Sequence, residues 1–258
     1  MSEKTGRNLP VWVSQNFLTS KKTICKLIKR TSINTSDHVI EIGPGKGHIT
    51  DMLLRFCRKL SAVEIDEKLY SRLHEKFGGN EKIKIYNRDF LDWRLPAEDY
   101  KVFANIPFCR TTEILRKLTD CTNPPTEAWL VMEKGAAKRF MGIPRESVLS
   151  LLIKPFFNTE IKYHFKKEDF HPAPSVETVL FHLSKKPTPD IPHAKRQLYI
   201  RFISTCFKKP GGIFRLLTKK QIAKSLKAEK LSCDITSGEI LYIQWLCLFR
   251  CYSKHVFY

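Results

Sequence analysis

The stretch His38-Val39-Ile40-Glu41-Ile42-Gly43-Pro44-Gly45-Lys46-Gly47 decides the fold. A short run rich in β-branched residues ends in glycines at alternate positions, and an apolar pattern of helical period follows at 49–57. That order reads as strand, tight turn, helix. Glycine permits the turn and lets a ligand come close to the main chain. The spacing is G-x-G-x-G, one residue short of the dinucleotide fingerprint. On this stretch alone, a ligand loop and a plain tight turn stand about even.

Outward from it the same alternation repeats. After the first strand, at 38–43, strand patterns lie at 60–65, 82–86, 101–106, 128–132, 160–165 and 176–183. Helical patterns lie at 67–77, 112–118 and 136–157, the last broken near Pro144. Strands alternating with helices predict an α/β fold, a mostly parallel seven-stranded sheet covered on both faces. The final two strands have no helix between them and fit an antiparallel hairpin. Lys185-Lys186-Pro187-Thr188-Pro189-Asp190-Ile191-Pro192 is a proline-rich connector. Beyond it, helical patterns at 195–207, 219–231 and 238–249 predict a small C-terminal helical domain. The expected division is 1–186 and 187–258, with 1–30 as a basic arm.

The chain has 258 residues, 42% hydrophobic and 11% aromatic, which excludes global disorder. No apolar run reaches the ~18 residues of a membrane span, and the first ten residues are too polar for a signal peptide. The expectation is a soluble cytoplasmic protein. The eight cysteines include no C-x-x-C pair, and the closest two, Cys247 and Cys251, sit in an apolar helical pattern. Reduced thiols and no metal site are expected. The net charge is +19 and its distribution is uneven. Residues 1–30 carry seven basic side chains and one acidic, and 187–258 carry thirteen and four, whereas 31–100 carry eleven and twelve. Such clustering favours a face for a polyanion, nucleic acid ahead of membrane.

The near-neutral block holds the chemistry. Its second strand ends at Glu64-Ile65-Asp66, with Glu64 21 residues beyond Gly43, where an acid can accept from ribose hydroxyls. The third ends at Asn87-Arg88-Asp89-Phe90, where a carboxylate can accept from the amine of an adenine. Either acid alone is more often a helix cap or a solvated loop residue. Three successive strand ends at one sheet edge point to an adenosine cofactor, NAD or S-adenosylmethionine. The fourth strand runs into Asn105-Ile106-Pro107-Phe108. An aromatic amine is a poor nucleophile because its lone pair is delocalised. Two acceptors on its protons, the Asn105 oxygen and the Ile106 carbonyl, help to draw that pair out of the ring. Pro107 fixes the backbone, and Phe108 offers a face for an extruded base, worth about 1–3 kcal/mol. This suits methylation of an amine and not hydride transfer.

In their order, Gly43–Gly47, Glu64-Ile65-Asp66, Asp89 and Asn105–Phe108 resemble the ribosomal RNA adenine N6-methyltransferases, and within them the Erm type. Ser14-Gln15-Asn16-Phe17-Leu18-Thr19-Ser20, Gly45-Lys46-Gly47-His48 and Phe170-His171-Pro172-Ala173-Pro174-Ser175-Val176 strengthen the likeness, which covers residues 8–250. It implies a Rossmann-like class I methyltransferase sheet and S-adenosyl-L-methionine as cofactor, held by Asn16, Leu18, Gly43, Gly45, Glu64, Asp89 and Asn105. The catalytic set it implies is Asn105, Ile106, Pro107 and Phe108. It further implies a monomer acting on 23S ribosomal RNA before full subunit assembly, with macrolide–lincosamide–streptogramin B resistance as the outcome. Three features depart from the Erm pattern: Pro44, more typical of the KsgA-type small-subunit dimethyltransferases, Phe108 in place of tyrosine, and the run Cys109-Arg110-Thr111-Thr112. A KsgA-type enzyme and a non-catalytic nucleic-acid-binding protein on the same fold are the alternatives. The basic ends then serve as RNA contacts, with Arg7, Lys21 and Lys22 at one end and Lys208, Lys209, Arg215, Lys219 and Lys220 at the other.

Overall fold

The computed structural model of the chain describes residues 16–235 and 240–255. The expectations placed on Arg7, Ser14 and Gln15, and the start of the last helix at 238, lie outside these residues.

In chain order the elements are β1 (Phe17–Leu18), α1 (Lys21–Ile28), β2 (His38–Ile42), α2 (His48–Leu53), β3 (Lys59–Glu64), α3 (Glu67–Phe77), β4 (Ile83–Asn87) and β5 (Lys101–Asn105). Then come α4 (Thr111–Asp120), β6 (Glu127–Glu133), α5 (Lys134–Met141), α6 (Val148–Ile153), β7 (Phe157–His164), β8 (Phe170–His171) and β9 (Thr178–Lys185). The series ends with α7 (Arg196–Lys208), α8 (Lys219–Ala228) and α9 (Tyr242–His255). Seven strands form one sheet in the order β4-β3-β2-β5-β6-β9-β7. The β2–β3, β3–β4, β2–β5 and β5–β6 pairs are parallel, and β6–β9 is antiparallel. The Phe165 N–H donates to the Thr178 carbonyl and the Lys186 N–H to the Phe156 carbonyl, so β7 and β9 also run antiparallel. This is the mostly parallel seven-stranded α/β sheet that the alternation predicts.

Strand β2 is buried along its whole length, as a central parallel strand covered on both faces must be. Edge strand β7 alternates between buried or half-buried and exposed residues. Because the order reverses between β2 and β5, the carboxyl ends of β3, β2 and β5 flank a switch point, the place where such sheets bind ligands.

Three elements differ from the sequence reading. The break expected near Pro144 within 136–157 is present, between α5 and α6, but the helical pattern ends early, at Ile153. Gly142 takes φ +70°, Ile143–Pro144 follows, α6 restarts from a Ser147–Ser150 capping box, and Phe157 already belongs to β7. Helix α2 is shorter than 49–57, because the chain tightens after Leu53 to carry the buried Cys57 towards β3. The two-residue ladder of β1 on β8 and helix α1 were absent from it; Ser20 caps α1 through the Thr23 N–H.

The chain divides into two compact units. Of the described residues, one comprises those up to Lys134 with Glu160–Ser184, and the other Gly135–Thr159 with those from Lys185 onward. The single boundary at 186/187 thus differs from this grouping, which puts 135–159 with the C-terminal helices. Inside that second unit, the Asp190 N–H reaches the Pro155 carbonyl at 2.8 Å, and Tyr199, Phe202 and Phe249 pack edge to face or tilted. The first unit's core gathers Leu18, Ile24, Leu27, Phe103, Trp129 and Phe170.

Candidate active site

The turn after β2 places Gly43, Gly45 and Gly47 at φ +63°, +59° and +75°, where side chains are rarely tolerated. At Gly45 a methyl group would lie 2.5 Å from Phe17 Cε1. At Gly43 it would meet nothing within 4 Å, since that position borders open space. The turn is clamped from β3. Glu64, 1% exposed, accepts the Gly45 N–H at 3.0 Å through Oε2 and the Asp66 N–H at 3.0 Å through Oε1. Burial raises its pKa against the pull of those bonds.

Asp89 stands two residues past β4. Its Oδ1 accepts the Leu91 N–H at 2.9 Å, and its Oδ2 accepts from the Arg110 guanidinium at 2.8 Å. Partial burial pushes its pKa up, but the Arg110 bond and the Leu91 N–H outweigh it and hold the carboxyl below its ordinary value. Asn105 closes β5. Its Nδ2 donates to the Asn16 carbonyl at 2.7 Å, so its Oδ1 is the atom left to accept. Pro107, at φ −60° and ψ 125°, leads into a 3₁₀ turn, Phe108–Arg110, that leaves Phe108 half-buried.

These groups form two adjoining clefts. Gly43, Glu64, Asp89, Phe90, Pro107 and Arg110 are among the residues lining one, and Asn16, Phe17, Gly43 and Asn105–Phe108 line the other. Gly43 and Pro107 border both. Of the residues expected from sequence, Asn16, Gly43, Glu64, Asp89 and Asn105–Phe108 therefore converge. Gly45 contributes through its bond to Glu64. Leu18 lies elsewhere, 2% exposed in the core, because the β1–β8 ladder turns it inward opposite Phe170. Its neighbour Phe17 takes the cleft side, with the Lys46 ammonium 5.0 Å from its ring centre.

Phe17 and Arg110 were both missed as functional residues. The only signal for Arg110 was that Cys109-Arg110-Thr111-Thr112 departs from the expected run. Among the described residues, no group of three or more His, Cys, Asp or Glu side chains could hold a metal ion, and no helix is long and apolar enough to cross a membrane.

The residues fit an adenosine cofactor. Gly43 leaves free the space that a Cβ would occupy, in a cleft lined also by a carboxylate at the end of β3 and another past β4. Fold and site together define a class I methyltransferase, an enzyme that uses S-adenosylmethionine. The family described as "Ribosomal RNA adenine dimethylase" matches residues 11–238, and the chain belongs to it. An rRNA adenine N-6-methyltransferase from Limosilactobacillus reuteri is 34% identical over 93% of this chain and 95% of its own length. One from Escherichia coli is 31% identical over 95% of this chain and 97% of its own. The crystal structure of the 23S rRNA methyltransferase ErmE superposes with a TM-score of 0.81 at 25% identity, covering 92% of this chain and all of that one. A dimethyladenosine transferase from Plasmodium falciparum shares the fold, with a TM-score of 0.72 at 21% identity over 92% of this chain and 98% of that one.

Proposed function

We propose that this enzyme methylates N6 of an adenine in 23S ribosomal RNA, as an Erm-type monomer acting in the cytoplasm before the large subunit is fully assembled, and that the modification confers macrolide–lincosamide–streptogramin B resistance. The observation that carries this reading is the commitment of Asn105 Nδ2 to the Asn16 carbonyl, which leaves Oδ1 free in the cleft that also holds Phe108. S-adenosylmethionine supplies an activated sulfonium methyl group.

The chain's own residues do the rest. Gly43, Gly45, Glu64 and Asp89 hold the adenosine part, with Leu18 bracing Asn16 and Phe17 from the core. Asn105 Oδ1 and the Ile106 carbonyl accept the two amine hydrogens, which localises the lone pair on nitrogen. Pro107 keeps that carbonyl in place. Phe108 stacks on the extruded base, returning about 1–3 kcal/mol against the few kcal/mol that extrusion costs. The 23S assignment is supported by the likeness to ErmE, and Pro44 keeps a KsgA-type, small-subunit enzyme as the second reading.

Labelled cofactor incubated with deproteinised 23S RNA and with 16S RNA tests the proposal. Label on 23S RNA alone is expected, together with a primer-extension stop at the modified adenine and lowered macrolide susceptibility in cells carrying the protein. Label on 16S RNA alone moves the assignment to the second reading, and label on neither rejects both.

A further inference from the structure

Helix α4 follows directly on the 3₁₀ turn after Pro107. Arg110, at the end of that turn, stands at i to Ile114 at i+4 and Lys117 at i+7, the spacing of one helix face. Arg110 holds the Asp89 carboxylate, and Ile114 lines the same cleft. Lys117 turns towards the same loop. Its ammonium donates to the Leu91 carbonyl at 2.7 Å and to the Trp93 carbonyl at 2.6 Å, 26 and 24 residues back along the chain. It also sits 5.4 Å from the centre of the Phe90 ring. Phe90, 5% exposed, lines the cleft with Asp89 and tilts against Trp93, the ring centres 6.4 Å apart.

An ammonium drawn out of water loses hydration, and burial lowers the pKa of Lys117 against the pull of Asp92 and Asp89. A lysine that served solubility alone would keep its charged head in water. This one gives two of its three donors to main-chain carbonyls, at the short distances of charge-assisted bonds. Among the described residues, no main-chain N–H donates to either carbonyl. The other bonds of the loop are local. The Leu91 N–H meets Asp89 Oδ1, and the Asp92 and Trp93 N–H groups meet the Asp89 carbonyl at 3.1 and 3.0 Å. Those bonds shape the loop, whereas Arg110 and Lys117 fix where it lies against α4.

We propose that Lys117 is a positioning residue for the cofactor: it anchors the loop that carries Asp89 and Phe90, and through them it selects a purine with an amine at position 6. This rests on the reading above that the cleft between Gly43, Glu64 and Asp89 takes the adenosine part. The ribose end is held elsewhere, by Glu64 and the turn after β2. A loop that slips therefore loses the purine edge and leaves the other cofactor contacts in place.

The test uses the full-length protein and two ligands, S-adenosylhomocysteine and S-inosylhomocysteine, which differ at position 6 of the purine. The first carries an amine there, which can donate to a carboxylate; the second carries an oxygen, which a carboxylate repels. By calorimetry the wild type should favour the adenosyl ligand by about tenfold or more, the worth of a hydrogen bond to a charged group. Lys117→Met keeps the aliphatic stem and removes the donors. It should bind the adenosyl ligand about tenfold more weakly and the inosyl ligand about as the wild type does. In methylation assays KM for S-adenosylmethionine should rise about tenfold, while kcat at saturating cofactor stays within about twofold. Lys117→Arg, which keeps the charge and the donors, should restore most of the discrimination. Lys117→Gln, a neutral donor with a shorter reach, should lose part of it and covers a Lys117→Met protein that fails to fold.

Equal weakening for both ligands would assign Lys117 to the general stability of the fold and overturn the proposal. If the wild type discriminates and Lys117→Met discriminates equally well, Asp89 keeps its place and only the role of Lys117 is wrong. If the wild type binds the two ligands alike, Asp89 does not read the adenine, and the proposal falls with that reading.

Discussion

The Arg110 guanidinium donates to Asp89 Oδ2 at 2.8 Å while its Nε reaches Glu113 Oε2 at 3.1 Å, so one arginine ties the 3₁₀ turn after Pro107 to the loop past β4. The consequence lies in the carboxylate. With Oδ1 held by the Leu91 N–H and Oδ2 by Arg110, Asp89 is fixed in direction and kept ionised to a lower pH than usual. Its folded pKa is depressed, so whatever its charge contributes is present above the ordinary aspartate value and is lost as pH falls through the folded one.

Arg110→Ala should therefore weaken cofactor binding about tenfold, the size of one charge-assisted hydrogen bond. It should also move the acid limb of binding to higher pH, because Asp89 then titrates closer to its ordinary value. Arg110→Lys should recover part of the affinity through its charge, without the geometry of the fork. Calorimetric titration with cofactor between pH 4 and 7 reads both effects. An acid limb at the same pH in all three proteins would show that Arg110 does not set the state of Asp89.

Two of the three turn glycines should fail differently. Gly43→Ala and Gly45→Ala both force a side chain to positive φ, at about 1–2 kcal/mol. At Gly43 the added methyl enters open space in the clefts, so cofactor affinity should drop with little further loss of stability. At Gly45 it meets Phe17, so the melting temperature should fall further as well. Phe17→Ala should relieve that excess in the double variant; thermal melts of the three proteins with and without cofactor compare these outcomes.

Most of the site was legible because a parallel sheet fixes where strand ends go. Glu64 pairs in register with Asn87 and Asn105 with Val131, so reading where each strand stops already placed Glu64, Asp89 and Asn105 at one edge. The remainder depends on contacts between distant segments. Phe17 and Leu18 change places because β1 pairs with β8, and a two-residue strand has too little length to show its period. Arg110 reaches back 21 residues to Asp89, a distance that no helical or strand pattern marks. The stretch 136–157, broken near Pro144 as expected, misled only at its end, and for another reason. Its apolar positions fit a helix up to Phe157, but those beyond Ile153 pack as an irregular turn and the start of an edge strand.

Asn105→Ala should cut turnover by about 10²–10³, the effect of removing one positioned polar group from a transition state. RNA affinity should change less than threefold, because the contact forms after the strand has docked. Asn105→Asp should be almost as poor. Its carboxylate keeps an acceptor but cannot donate to the Asn16 carbonyl 2.7 Å away, and the two oxygens repel. Single-turnover methylation, alongside binding at equilibrium, separates rate from affinity. A variant defective mainly in RNA binding would contradict the assigned role.

Phe108→Tyr should be mild and Phe108→Ala severe. The phenylalanine is half-buried at the start of its 3₁₀ turn, so a tyrosine keeps the ring in place. Alanine removes the stacking surface and should lower methylation at limiting RNA by about 10–100-fold. An RNA with an unpaired target adenine should narrow the deficit, since less unstacking remains to be offset. Equal rates for the tyrosine and alanine variants would refute stacking by this ring.

Glu41 makes the fold itself sensitive to pH. It lies on β2, 1% exposed, with Oε2 accepting from the Thr50 hydroxyl at 2.7 Å and Oε1 without a hydrogen-bond partner. Burial pushes its pKa up to about 8, the Thr50 bond opposing only in part. In the unfolded chain a glutamate titrates near about 4.3. Below that value both states are protonated and the contribution to stability is fully present. Between about 4.3 and about 8 only the folded state keeps the proton, so stability falls as pH rises, by at most about 1.4 kcal/mol per pH unit. Glu41→Gln keeps an acceptor for Thr50 and has no proton to lose. Its stability relative to the wild type should therefore climb steadily from pH 5 to pH 8 in urea unfolding and level off above. Parallel pH profiles for the two proteins would mean that Glu41 enters the folded core already ionised.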